Sequence, residues 1–203
     1  MRTDNKAAIS YWDNIYGSLT GDCIKRISNI SHDFFIHVSQ DLYKEIATAR
    51  SVLEFGCGTG DFCKRMANYT FAYITGVDIS NIAIECAKER FEDSRIKFHA
   101  VNILEEPMDG KYDLVFSSNT LEHFKDWKSV LDKLFEYAPK VLLLIPYKDS
   151  LQDGYFGEGG AGHVSSFDEN SFTGYNVIEW STFFTHEWAQ PPDPLQMIIL
   201  LEK

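Results

Sequence analysis

The segment Val52-Leu-Glu-Phe-Gly-Cys-Gly-Thr-Gly-Asp61 constrains this chain more than any other. A short apolar run, Ser51 to Phe55, ends in glycines at alternate positions, and a helical pattern opens at Asp61 and runs to Tyr69. A strand that turns through glycines into a helix presents free backbone N–H groups at the carboxyl edge of a sheet. The glycines let the main chain turn tightly and let a ligand approach it closely. The same alternation continues downstream. Ala72 to Val77, Ile96 to Val101, Tyr112 to Ser117 and Lys140 to Ile145 read as strands, and Asn81 to Phe91 and Trp127 to Tyr137 as helices. Strands alternating with helices at this pitch predict a parallel sheet covered on both faces. Upstream, Asp4 to Tyr16 reads as a short helix. Phe34 to Thr48 carries Phe35, Val38, Leu42 and Ile46 at helical spacing. At the far end, Val177 to Thr185 and Leu195 to Glu202 are strand-like and separated by Glu187 to Asp193, which holds Pro191 and Pro192. A helical crossover does not fit there, so an antiparallel hairpin at one sheet edge is expected. With 203 residues the chain predicts one domain, residues 1–203, with a helical cap or lid over 1–48 and a sheet core over 49–203.

Composition narrows the functions. Nineteen Lys and Arg against thirty Asp and Glu leave a net charge of −11. A broad grip on nucleic acid and docking on an anionic membrane both need a basic footprint, so both are disfavoured. Cys23, Cys57, Cys63 and Cys86 form no CxxC pair, so no zinc knuckle or other metal site is expected. The N-terminus lacks the apolar core of a secretory signal. Val141 to Pro146 is too short to cross a bilayer, and a cytoplasmic protein is expected.

Asp78 closes the second strand in Ile74-Thr-Gly-Val-Asp78, where its carboxylate can accept from both hydroxyls of a ribose. Two nucleotide readings compete. A dinucleotide loop reads GxGxxG, but Asp61 stands where the last glycine belongs, and its charge beside a pyrophosphate is repulsive. The observed order is ExGxGxG, with Glu54 inside the strand end. An acidic residue there suits a ligand carrying positive charge, such as a methionyl ammonium or a sulfonium.

Taken with Gly76-Val-Asp-Ile-Ser80 and Tyr112-Asp-Leu-Val-Phe-Ser-Ser-Asn-Thr-Leu-Glu-His123, the sequence resembles the class I S-adenosylmethionine-dependent methyltransferases over most of its length. The resemblance is to the small members that act on metabolites, sugars, quinones and natural products. It implies a Rossmann-like α/β fold, a seven-stranded sheet of order 3-2-1-4-5-7-6 with strand 7 antiparallel and helices on both faces. By that resemblance, Gly56, Cys57, Gly58 and Gly60 line the methionyl part of S-adenosylmethionine, and Glu54 holds its ammonium group. Asp78 binds the ribose and Ile79 lies against the adenine. Asn102 stands where relatives often have an aspartate that accepts from the adenine amino group, and its amide oxygen can do the same. Ile103 offers a backbone N–H to the ring. Ser117 and Ser118 end the fourth strand near the methyl donor.

Tyr11, Trp12 and Tyr16 either anchor the N-terminal helix on the core or form a lid over the cofactor, with Trp12 and Tyr16 against it. His32, His37, His99 and His186 read as structural. His123, after Leu121-Glu122, and His163, at the end of the glycine-rich Asp153 to His163 stretch, each can take a proton from an acceptor hydroxyl. His163 is favoured because the glycine run can carry it to the substrate. The segment His163 to Phe172 resembles a turn and helix start, with Asp168 or Ser166 as its cap and Glu169 in its first turn. These residues imply methyl transfer to a small acceptor, more readily at oxygen than nitrogen. The alternatives are a nucleotide-linked oxidoreductase and a non-catalytic S-adenosylmethionine-binding protein. Oligomeric state has no signature in the sequence.

Overall fold

Buried, branched side chains on both faces of Val141 to Ile145 require a sheet with cover above and below, and the structure supplies it. The computed structural model describes residues 5–19, 21–149, 162–185 and 195–203. Its strands are β1 (Ser51–Phe55), β2 (Tyr73–Asp78), β3 (Ile96–Ala100), β4 (Leu114–Ser118), β5 (Lys140–Pro146), β6 (Asn176–Phe184) and β7 (Leu195–Glu202). They pair in the order β3-β2-β1-β4-β5-β7-β6. β7 runs antiparallel to both β5 and β6, and the pairs among β1 to β5 are all parallel. The expected order and the reversed seventh strand are both present.

The helices are α1 (Asn5–Gly17), α2 (Gly21–His37), α3 (Gln40–Thr48), α4 (Asp61–Tyr69), α5 (Asn81–Arg90) and α6 (Trp127–Leu134), with a 3-10 turn at Leu121–His123. Two local expectations are corrected. Phe34 to Thr48 is two helices rather than one. The chain turns extended at Ser39, whose hydroxyl accepts from the Leu42 N–H at 3.0 Å and starts α3. The residues after His163 form turns and no helix. Asp168 uses its carboxylate locally, accepting from the Asn170 N–H and the Ser171 hydroxyl.

Alternate residues of β5 feed the two faces. Leu142 and Leu144 join Phe34, Phe62, Met66, Ile84 and Phe116 on one side. Val141, Leu143 and Ile145 join Leu131, Leu134, Phe167 and Phe172 on the other. No helix among the described residues is long and apolar enough to cross a membrane. Residues 150–161, which hold most of the glycine-rich Asp153 to His163 stretch, His186 and the whole of the Glu187 to Asp193 connection lie outside the described residues.

Candidate active site

The sheet's carboxyl edge is built first by the β1–α4 turn. Gly56, Gly58 and Gly60 have φ of 73°, 49° and 83°, a region that costs any residue with a Cβ. Space also excludes side chains here. A Cβ on Gly58 would lie 2.7 Å from the Tyr16 hydroxyl, and one on Gly60 would lie 2.7 Å from the Phe98 ring. The turn is fastened to β2, since the N–H groups of Gly56 and Cys57 both donate to the Val77 carbonyl at 2.9 and 3.0 Å.

Asp78, at the end of β2, is buried and accepts from the Gly58 N–H through Oδ2 and from the Ser80 N–H through Oδ1, each at 2.9 Å. Burial pushes its carboxyl up to about 6 against the lowering effect of those N–H groups. Each oxygen keeps a lone pair for a further donor. Glu54 is fully buried under the same turn, and its Oε2 has no partner in the protein. Burial holds this carboxyl up at about 8, with a hydrogen bond to the Cys63 thiol pulling the other way. Asp61 is not a free charge at the loop. Arg90 on α5 grips it through two hydrogen bonds at 2.6 and 2.8 Å, and the Thr59 hydroxyl donates to it at 2.7 Å. Repulsion of a pyrophosphate by Asp61 is therefore not the reason to reject a dinucleotide. The orphaned Glu54 oxygen, which asks for a cation, is the stronger ground.

α1 lies across this edge. Asp13 accepts from the Ser80 hydroxyl at 2.6 Å and the Ile82 N–H at 3.3 Å, which ties α1 to the start of α5. The Tyr16 hydroxyl is buried over Gly58, and burial together with Asp78 raises its pKa well above the usual tyrosine value. Trp12 meets Tyr11 edge-on at 5.2 Å and His123 edge-on at 5.0 Å. The helix is thus anchored and also roofs the loop.

The other expected residues fall around this centre. Ile79 is partly exposed beside Asp78. The Asn102 carboxamide oxygen accepts from the Leu104 N–H at 3.2 Å, and Ile103 is fully buried. The Ser117 hydroxyl donates to the Phe55 carbonyl at 2.9 Å and joins β4 to β1, whereas Ser118 is half-buried at the strand end. His32, His37 and His99 are exposed, with His37 stacked on Phe183.

Beyond β4, the 3-10 turn and the His163 segment are stitched together. Val164 and Ser165 donate their N–H groups to the Glu122 carbonyl, and the Ser165 hydroxyl donates to the Phe124 carbonyl. The rings of His123 and His163 meet at 5.1 Å. His163 bonds Asp149 Oδ2 through Nδ1, and its Nε2 lies 3.8 Å from Glu122 Oε1. Glu122 is fully buried, and burial lifts its carboxyl to about 8. The sequence alone did not single out Asp13, Glu122 or Asp149. Glu122 had a signal, as the middle of Leu-Glu-His, while Asp149 had none. A cleft of about 520 Å³ lined by Tyr69, Phe71 and Arg95 lies at the amino end of β2 and holds none of these groups.

Comparison with known proteins agrees with this arrangement. A methyltransferase-domain family matches residues 31–190. The malonyl-[acyl-carrier protein] O-methyltransferase of Acetivibrio thermocellus is 37% identical over 86 residues, 42% of this chain and 30% of that protein. The enzyme of the same name from Priestia megaterium is 30% identical over 110 residues, 53% of this chain and 39% of that protein. The chain thus spans well under half the length of these relatives. The magnesium protoporphyrin IX methyltransferase of Synechocystis PCC 6803, solved with bound SAM, superposes with a TM-score of 0.67 at 14% identity, covering 100% of this chain and 99% of that one. With a family match over most of its length and the sheet order the resemblance implied, the chain belongs to the methyltransferase-domain family, among the class I S-adenosylmethionine-dependent methyltransferases.

Proposed function

We propose that the protein transfers a methyl group from S-adenosylmethionine to an oxygen of a small acceptor. The observation that carries this reading is Glu54, a fully buried carboxylate with an unsatisfied oxygen beneath a turn that only glycines can form. Leaving such a group unpaired is costly, and a ligand ammonium removes the cost. The residues fit the cofactor in other respects. Asp78 has lone pairs left for two ribose hydroxyls, Ile79, Asn102 and Ile103 flank the expected adenine position, and Trp12 and Tyr16 roof the methionyl end. Cys57 and Gly56, Gly58 and Gly60 line it, with Ser117 and Ser118 at the β4 end. When bound, S-adenosylmethionine supplies an activated methyl group on a sulfonium.

The chain's own work is alignment, exclusion of water and removal of a proton. Positioning of this kind contributes on the order of 7–11 kcal/mol. The acceptor end is the cluster of His123, His163, Glu122 and Asp149. Asp149 holds His163 Nδ1, which directs Nε2 inward as a proton acceptor. Two carboxylic groups at this mouth disfavour an anionic acceptor such as the malonyl carboxylate named for the relatives. They favour a neutral hydroxyl that must lose its proton, and a free small molecule over an acidic carrier for a chain of net charge −11.

Calorimetry and turnover with labelled S-adenosylmethionine and a metabolite extract test the reading. S-adenosylmethionine and its demethylated product should bind and NAD should not. Asp78→Ala should weaken binding by roughly 2–4 kcal/mol through loss of two charge-assisted hydrogen bonds. Tight NAD binding, or unchanged affinity in a folded Asp78→Ala protein, overturns the site. Binding without transfer to any acceptor turns the protein into a non-catalytic binder. His163→Ala should lower turnover by a factor of about 10²–10⁴ with cofactor affinity intact, and His123→Ala less. Parental rates in both would move the reading to an amine acceptor.

A further inference from the structure

Glu122, His123 and His163 each offer one ligand atom within 4.8 Å of the other two, at the carboxyl edge of the sheet. We infer that these three residues bind a divalent transition-metal cation of the zinc type, with one coordination position left open toward the acceptor.

Three observations support the site. Glu122 is fully buried, and neither of its carboxylate oxygens has a hydrogen-bond partner. Its only ion-pair partner among the described residues is His163 Nε2, at 3.8 Å. That distance is too long for a hydrogen bond. It is close to the ~3.4 Å that separates two ligand atoms on one tetrahedral ion with bonds of about 2.1 Å, so a cation drawn between them needs only a small contraction. His163 is also prepared as a ligand. Its Nδ1–H is taken by Asp149 Oδ2, which fixes the tautomer and leaves the Nε2 lone pair facing Glu122. A carboxylate behind a ligating histidine is the usual support of such a metal. Finally, the two segments that carry the ligands are already joined. Val164 and Ser165 donate to the Glu122 carbonyl, and Ser165 Oγ to that of Phe124.

Two imidazoles and one carboxylate select zinc, iron(II), cobalt(II) or nickel(II) over magnesium or calcium, which prefer oxygen. Three protein ligands leave the fourth position of a tetrahedral ion open. If the proposed O-methylation is correct, that position takes the acceptor oxygen. The cation then makes the hydroxyl more acidic, and its proton passes to solvent rather than to a histidine already bound to metal. The substrate class narrows to hydroxyl acceptors able to ligate a metal, such as those with a neighbouring oxygen.

The test uses the full chain without an affinity tag, stripped with chelator and free of S-adenosylmethionine, so its result is independent of methyl transfer. Titration with Co²⁺ should give one saturable site per chain with visible d–d absorption, and Zn²⁺ should displace it. His123→Ala and His163→Ala should each abolish the absorption. Asp149→Asn should weaken binding by 10–100-fold. His99→Ala, an exposed histidine on β3, should change nothing. No saturable site, or a site that survives both His123→Ala and His163→Ala, overturns the inference, and Co²⁺ absorption of the parent decides it should the histidine variants fail to fold. Turnover unaffected by chelator, together with no cobalt site, leaves methyl transfer standing with His163 as the proton acceptor.

Discussion

Glu54 carries a consequence for pH. Free, its carboxyl sits at about 8, raised from its ordinary 4.5 by burial, so at pH 7 it is mostly protonated. An ammonium group placed beside it favours the ionised form, so binding the cofactor must expel a proton. Calorimetry at pH 7 in buffers of different ionisation enthalpy should register about one proton released per site, and Glu54→Gln should abolish the release. Affinity should rise with pH up to about 8, the value in the free protein, and level off above it. The folded chain's own stability runs the other way, since the native state binds the extra proton in that window. It falls as pH rises from about 4.5 to about 8. Glu54 and Asp78 were legible in the sequence because strand ends and glycines fix where they stand. The grip of Arg90 on Asp61 was not, because it depends on how α5 lies beside α4, which no local pattern encodes.

That grip belongs to the scale of elements. α4 and α5 flank the glycine turn, and the Asp61 carboxylate, 4% exposed, is compensated by Arg90 alone among the cations of the described residues. Arg90→Met leaves a buried charge unpaired and should destabilise the protein by about 3 kcal/mol, a loss of roughly 6–12 °C in Tm for a chain of this size. Adding Asp61→Asn should restore part of the loss, which a mere packing defect would not allow. Elements were read well where apolar runs are bounded by glycines or charges, as in β1, α4 and β7. The break between α2 and α3 was hidden, because Val38 continues the helical spacing and the one signal is Ser39, a capping residue inside an apparently unbroken pattern.

At the scale of the whole molecule, the antiparallel pairing of β6 and β7 followed from the absence of room for a crossover before Leu195, whereas the place of β7 beside β5 came from the family resemblance. The acceptor end did not follow. Glu122, Asp149 and His163 meet only because β4 and β5 are neighbours and deliver their following segments to one edge. Over the same edge lies α1, a thirteen-residue helix held by Asp13 at its far side and by Tyr16 above Gly58. It belongs to no sheet, so it can lift without disturbing the core. If the cofactor lies beneath it as proposed, a nucleoside-sized product must pass it to leave, and we predict that the clock of the catalytic cycle follows how often this helix opens. In Asp13→Ala, amide hydrogen exchange along α1 and the escape rate of the demethylated product should quicken together, while the rate of a single turnover from preloaded enzyme stays as it was.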